Sequence, residues 1–434
     1  MSTFAASISE NIERDIAEGR LRAGEKLVPV RELAQQLGVS PTTVAAAYRS
    51  LREIGVVIGR ARQGSIVAPQ VEPPISQVVN VPDNAIDALR GSPDPRLLPQ
   101  LDSAFEFALA APQAGYGDSL AEPNLSAAAK RLFEADGLDA THLTVTSGSM
   151  DAIERIILAS GLRRGDRIGV EDPGHVPVHQ LARAAGLELV PLAVDDEGVV
   201  PEALDDALAF GLDALVITPR CHNPTGAALT SERAEVLSSC LAPFADVLLI
   251  QDDHAGLISG VDFHGLRPPG ERHATVRSLG KAFGPDLRLA VTISDQRTHD
   301  RVSLAISNGP GWVSHFLQRA AAHLLTDGAS MQTIRIAAES YSHRRESLIV
   351  ALRNVGIAAT GASGLNVWVP VPDEQIAVES ARAAGFAIRA ADSYRIDSGP
   401  AVRLTISHLE DPDIEHLARA LAESQVSTVR SPSM

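Results

Sequence analysis

Lysine is scarce in this chain of 434 residues: of 38 basic side chains, only Lys26, Lys130 and Lys281 are lysine. Where arginine already supplies the ordinary surface charge, a retained lysine is a candidate for something a guanidinium does not do, such as forming an imine. The neighbours decide which one. Lys281 closes the run Ser278-Leu-Gly-Lys281 and is followed by Gly284-Pro-Asp-Leu-Arg288. Three polar clusters precede it: Thr146-Ser-Gly-Ser149, His222-Asn-Pro-Thr-Gly226 and Asp252-Asp-His254. The first puts a glycine and hydroxyls at a helix start, a natural cradle of backbone N–H groups for a phosphate. Cys221 and His222 are adjacent, but no further ligand has the spacing of a metal site, so no metal is expected. Each cluster is a modest signal alone, and together, in this order, they point to one site.

Something must hold those clusters side by side. Short apolar runs precede them, at Leu143–Val145, Arg167–Val170, Ala214–Thr218, Val247–Gln251, Thr275–Ser278 and Ala290–Ser294. Helical stretches such as Met150–Ser160, Val176–Ala185 and Ser231–Leu241 fall between most of them. The alternation predicts an α/β layer with a mainly parallel sheet, which places ligands at the carboxyl ends of its strands. Beyond Gly311 a long helical region leads to a smaller α/β unit, with strands at Leu365–Val369, Ala387–Ile388 and Val402–Ile406.

The first 70 residues follow another grammar. Phe4, Ile8, Ile12 and Ile16 recur every four residues and predict a helix over Thr3–Glu18. A short helix, Val30–Leu37, is ended by Gly38, and Ser40-Pro41 open a third that runs to Gly55. Two helices joined by Gly-Val-Ser make a helix-turn-helix, and residues 56–67 read as two β-runs around a basic tip, a wing. The segment Leu27-x-x-Val-Arg-Glu-Leu-Ala-Gln-Gln-Leu-Gly-Val-Ser-Pro-Thr-Thr-Val44 resembles the winged helix-turn-helix of the GntR regulators. That resemblance implies that Arg31, Thr42, Thr43 and Arg49 face DNA and that Arg60, Arg62, Gln63 and Gly64 make the wing contacts. Pro41 departs from it, standing where the family often has an arginine.

From about residue 91 the clusters resemble the fold-type I enzymes of the aminotransferase family, which use pyridoxal phosphate (PLP). The resemblance implies that Lys281 forms the internal aldimine, Asp252 holds the protonated pyridine nitrogen and Asn223 bonds the ring hydroxyl oxygen. It further implies a phosphate site of Ser147, Gly148, Ser149, Ser278 and Arg288, and an effector or substrate α-carboxylate on Arg403. Tyr116 matches a tyrosine that reaches the phosphate from a second subunit, which implies a dimer. Two positions depart from the enzymes. His175 lies where an aromatic usually stacks on the ring, and His254 lies in the loop where many relatives carry a tyrosine. Imidazole serves either purpose with added pH sensitivity, so efficient transamination is put in doubt while PLP binding is not.

A GntR-type winged helix joined to an aminotransferase-like domain resembles the MocR/GabR subfamily of bacterial regulators, and the finer motifs look closest to its PtsJ-like members. The expected domains are 1–69 for the winged helix, 70–90 for a Pro-rich linker and 91–434 for the PLP domain, with a large subdomain at about 115–305 and a small one at about 311–434. The net charge of −16 argues against indiscriminate nucleic-acid binding, yet residues 1–70 carry nine basic and seven acidic side chains. Any contact with a polyanion is therefore expected from the N-terminal domain. Two cysteines are too few for a disulfide framework. With neither a signal peptide nor a span of about 18 apolar residues, a cytoplasmic protein without membrane contact is expected. The resemblance implies a homodimer that binds double-stranded operator DNA and senses PLP, in genes tied to vitamin B6. An amino acid as second effector stays open, as does an active aminotransferase with a DNA-binding appendage or a PLP store without operators.

Overall fold

The computed structural model describes residues 3–17, 20–22, 24–53, 56–58, 65–67, 81–82 and 84–429. Its chain divides into two compact units near residue 77.

The N-terminal unit contains three helices, α1 (Thr3–Ala17), α2 (Val30–Leu37) and α3 (Pro41–Glu53), and a hairpin of β1 (Val57–Ile58) against β2 (Ile66–Val67). Gly38 ends α2 in the left-handed region at φ 64°, its N–H returning to the Ala34 and Gln35 carbonyls. Ser40 Oγ then accepts from the Thr43 N–H at 3.1 Å, capping α3. Ile8, Ile12, Ala34, Val44, Tyr48 and Leu51 close a core with Val57 and Val67, and the Tyr48 hydroxyl donates to the Val28 carbonyl at 2.7 Å. Phe4, expected on the buried stripe of α1, is exposed, and Ala5 takes the buried place beside Ile8.

The second unit is built on an eight-stranded sheet. Its strands are β4 (Leu143–Thr146), β5 (Arg167–Asp172), β6 (Glu188–Asp195), β7 (Gly198–Val199), β8 (Ala214–Ile217), β9 (Leu248–Asp253), β10 (His273–Ser278) and β11 (Ala290–Ser294), and β3 (Ile86–Asp87) lies outside it. The sheet order is β4-β11-β10-β9-β8-β5-β6-β7. Strands β10, β9, β8, β5 and β6 run parallel, and β11 is inserted antiparallel to both neighbours. Every expected apolar run is a strand, and β6 is one that was not expected. Most of its residues are only half-buried, so it lacks the continuous apolar signature of a central parallel strand.

A second, three-stranded sheet has the order β12 (Asn366–Pro370), β15 (Ala401–Thr405), β14 (Arg389–Ala390). Strand β13 (Phe386–Ala387) pairs instead with β3. Two expected boundaries move. The linker does not extend to residue 90, because Ile86 and Asp87 are already a strand of the second unit. The helix His315–Thr326, assigned to a small subdomain, packs against Asp102–Ala110 and Pro123–Ala135. One apolar core runs from Ala88 to Leu421 and joins residues of the expected large and small subdomains, and a second, including Leu192, Leu208, Leu215 and Leu237, lies apart from it. No helix among the described residues is long and apolar enough to cross a membrane.

Candidate functional site

Strand ends on one side of the large sheet deliver the polar clusters to a cavity of about 380 Å³. Ser149, His175, Asn223, His254, Ser278, Lys281, Arg288 and Arg403 all line it. Lys281 sits on the short helix Gly280–Phe283 directly after β10, and its Nζ donates to the Gly91 carbonyl. Burial, with the Arg403 guanidinium adding to it, pulls the Lys281 amine down to about 8.

At the end of β9, adjacent residues do opposite work because successive strand side chains face opposite ways. Asp253 turns into a closed charge network. Arg220 Nε reaches Asp253 Oδ1 at 2.9 Å and Arg277 Nε reaches Asp253 Oδ2 at 2.7 Å. Burial opposes ionisation of this carboxylate, but Arg277 and Arg220 outweigh it and hold its pKa below the usual value. Asp252 is equally buried, and its Oδ1 has no hydrogen-bond partner among the described residues. Burial first, then the charges of Asp253 and Glu171, push the Asp252 carboxyl up to about 8. A buried acceptor left without a partner is costly, and Asp252 itself is not among the residues lining the cavity, which its neighbour His254 does line.

The His175 and His254 rings lie nearly parallel, 15° apart in plane with centroids 6.2 Å apart. Burial lowers both, His254 to about 4 with Lys281 contributing, so both are neutral at physiological pH. His175 is positioned by the preceding Asp172. That carboxylate accepts from the N–H groups of Ile396, Asp397 and Ser398 and from the Ser398 hydroxyl, at 2.7–2.9 Å, and the Gly174 N–H bonds the Tyr394 carbonyl at 2.9 Å. Tyr394 in turn lies under Arg403, ring centroid 5.2 Å from the guanidinium carbon. Arg403, buried on β15, donates to Asn223 Oδ1 at 3.0 Å and to the Leu89 carbonyl. With its oxygen so used, the Asn223 amide keeps its two N–H donors for a ligand.

Where the resemblance expects a phosphate, Gly148 adopts φ 103° and caps the helix Ser149–Ala159 without any side-chain cap bond, leaving N–H groups at the helix start, while the Ser147 N–H donates to Asp151 Oδ2 at 2.8 Å. Arg288, itself in the left-handed region at φ 44°, donates to the Ser147 carbonyl at 3.3 Å. Ser147 is exposed, and neither it nor Gly148 lines the cavity itself. Tyr116 is 99% exposed beside Trp312, outside the cavity of its own chain. His222, considered for a metal, has its Nδ1 2.6 Å from Thr225 Oγ1 and its Nε2 3.2 Å from Glu171 Oε2 without a hydrogen bond among the described residues. Gly91, Ser92, Leu365 and Asn366 also line the cavity and escaped the sequence reading as site residues, and Cys221, weighed there only for a metal, lines it too. Gly91 acts through a backbone carbonyl, for which side-chain type gives no signal.

In the N-terminal unit, Arg31, Thr42 and Arg49 are exposed on α2 and α3, and Thr43 is half-exposed, its hydroxyl 2.8 Å from Ser40 Oγ. Arg60, Arg62, Gln63 and Gly64 lie outside the described residues.

Residues 85–421 match the family described as aminotransferase class I and II, and residues 4–67 match the gntR family of bacterial regulatory proteins. The chain is 36% identical over 418 residues to the vitamin B6 salvage pathway transcriptional repressor PtsJ of Salmonella typhimurium, covering 95% of this chain and 96% of that one. The chain belongs to the MocR-type GntR regulators. The pyridoxine biosynthesis transcriptional regulator PdxR of Corynebacterium glutamicum is a more distant relative, 27% identical over 79% of this chain and 78% of PdxR. Among solved structures, the kynurenine aminotransferase of Pyrococcus horikoshii superposes with a TM-score of 0.71 at 20% identity, over 80% of this chain and 92% of its own. This likeness establishes the fold of the second unit, and the regulator's cavity occupies the end of that fold's sheet. PLP is the cofactor of this fold family, and the regulator's cavity fits it. The orphaned Asp252 oxygen, the depressed Lys281 amine, the open helix start at Gly148 and the free amide of Asn223 each match one part of that molecule.

Proposed function

We propose that this regulator reads PLP in its cavity and converts occupancy into a change of operator affinity, controlling genes of vitamin B6 metabolism. The observation that carries this reading is Lys281: a buried, readily neutralised amine among ring- and phosphate-binding groups, on a chain that begins with a winged helix. When bound, PLP supplies an aldehyde and an electron-withdrawing ring. Lys281 Nζ would hold the aldehyde carbon, and Asp252 Oδ1 would keep a proton on the pyridine nitrogen. Asn223 would donate to the ring hydroxyl oxygen, with the His175 and His254 rings confining the ring plane. Ser147, Gly148, Ser149, Ser278 and Arg288 would take the phosphate, using helix N–H groups and one full positive charge.

Arg403 supports an amino acid as a second effector, its guanidinium addressing the α-carboxylate. The protein acts as a homodimer in the cytoplasm, Tyr116 of each protomer completing the partner's phosphate site, which suits a side chain so exposed in the single chain. Arg31, Thr42, Thr43 and Arg49, with the wing residues Arg60, Arg62, Gln63 and Gly64, contact the operator. The linker between the modules is proposed to end before β3.

A ligand shifts an equilibrium only by binding two states unequally. Operator titrations with and without PLP therefore decide the reading. Wild-type affinity is expected to change on PLP addition, and Lys281→Ala is expected to remove both the visible absorbance of bound PLP and the change. Identical wild-type affinities at saturating PLP would end it. Arg403 also suits an active aminotransferase, and turnover of an amino acid with a keto acid separates that second reading from the first.

A further inference from the structure

Two cations of the cavity are held by one short piece of chain. Lys281 donates to the carbonyl of Gly91, and Arg403 donates to the carbonyl of Leu89. These two carbonyls belong to the stretch Leu89–Gly91, which follows Ala88 after β3, the first strand beyond the linker, and reaches the cavity wall at Gly91. Its shape is set by Asp87. One carboxylate oxygen accepts from the Leu89 and Arg90 N–H groups at 3.0 and 2.9 Å, and the other accepts from Arg90 Nε at 2.6 Å.

The two ends of this stretch are fastened differently. Downstream, Asp94 is buried among Arg96, Arg344 and the Tyr341 hydroxyl, a closed charge network. Upstream, the attachment is main-chain pairing and burial: the Ile86 N–H reaches the Gly385 carbonyl, the Ala88 N–H the Ala387 carbonyl and the Thr405 N–H the Ala88 carbonyl, and Ala88 is fully buried. A displacement of the middle therefore bears directly on the pairing of Ala88 and β3, beyond which the chain continues toward the linker.

We propose that Leu89–Gly91 is the strap by which cavity occupancy reaches the linker. This rests on the reading of the chain as a PLP-responsive regulator. A ligand that engages Lys281 Nζ withdraws the donor from Gly91, and a carboxylate on Arg403 withdraws the donor from Leu89. Backbone carbonyls deprived of partners in a cavity must find new ones, so the strap rearranges. Two ligand groups release two carbonyls separately, which gives the strap a graded response: one release for PLP, a second for an amino acid.

Asp87 shapes the strap without lining the cavity, so Asp87→Ala loosens the strap and leaves the ligand groups in place. In the full-length protein, D87A is expected to develop the same visible PLP absorbance as wild type. Its PLP-induced change in operator affinity is expected to fall to less than about threefold, against the roughly 5- to 150-fold usual for coupled sites. A D87A protein that binds PLP and keeps the full wild-type change overturns the strap while leaving the regulator reading intact. Wild type with no PLP-induced change defeats the reading itself. Amide hydrogen exchange on wild type needs no variant: PLP should speed exchange at Leu89 and Arg90, and unchanged rates there overturn the strap.

Discussion

Burial removes water from the Lys281 ammonium, and the Arg403 charge adds to the penalty, so the proton is lost near pH 8 instead of at the 10.5 of a free lysine. Two consequences follow at the scale of this residue. The neutral amine, the form that attacks an aldehyde, is enriched at pH 7 by roughly two orders of magnitude. The rate of PLP capture, followed by visible absorbance, should therefore rise with pH up to about 8 and flatten above it. The sign for stability runs the same way. Between about 8 and 10.5 the unfolded chain holds the extra proton, so the destabilisation from this lysine is complete below about 8 and relieved as pH rises toward 10.5. Denaturant titrations of the PLP-free protein across that window, compared with Lys281→Met, should show the slope vanish in the variant. A different residue carries the fold: Arg277 is buried between Asp253 and Asp136. Arg277→Ala should cost about 3–5 kcal/mol and lower the melting temperature, because it strands Asp253 beside Arg220 alone. The roles of Asp252 and Asp253 were partly legible in sequence, since neighbours on a strand must face opposite sides. The charge network around Asp253 was not, because Arg220, Arg277 and Asp136 come together only in three dimensions.

At the scale of elements, the turn at Gly148 shows how closely backbone and charge are fitted. Its φ of 103° lies where side chains are rarely tolerated, and a Cβ there would sit 3.0 Å from Arg288 Nη2. Gly148→Ala should strain the turn by about 1–3 kcal/mol and move Arg288 away from the helix start. PLP affinity, titrated by absorbance, should fall about tenfold or more, while the winged helix keeps its melting behaviour. A variant with unchanged affinity would show that this helix start does not hold the phosphate. Central strands were readable because burial on both faces writes an unbroken apolar run, as in β8 and β9. Strand β6 was not, because it sits near the sheet edge half-buried. Strand β3 was hidden inside a Pro-rich stretch: a two-residue strand is specified by its partner β13 rather than by its own pattern. The antiparallel insertion of β11 was equally silent, since strand direction depends on connection and not on composition.

At the scale of the whole molecule, the N-terminal unit has its own core from Ile8 to Val67 and is expected to fold without the rest. A single such unit should nonetheless bind the operator weakly. If the protein is a dimer on a two-part operator, linking two reading heads raises apparent affinity by roughly 10²–10⁴-fold over one head. A fragment of residues 1–77 should therefore bind an operator duplex weaker than full-length protein by about that factor. Equal affinities would argue that each head acts alone. Sedimentation of Tyr116→Ala, expected to remain dimeric yet bind PLP less tightly, would separate the phosphate contact from assembly.

The Asp172 carboxylate, with its four donors from Ile396, Asp397 and Ser398, rivets the turn of His175 to the loop leading into β15. The imidazole proposed to meet the ring and the guanidinium proposed to meet a carboxylate are therefore tied to each other through one set of hydrogen bonds. On the proposed reading the cavity is expected to act as a gauge of the length from flat ring to acid group, and a ligand one carbon too long is expected to bind about 10- to 200-fold more weakly.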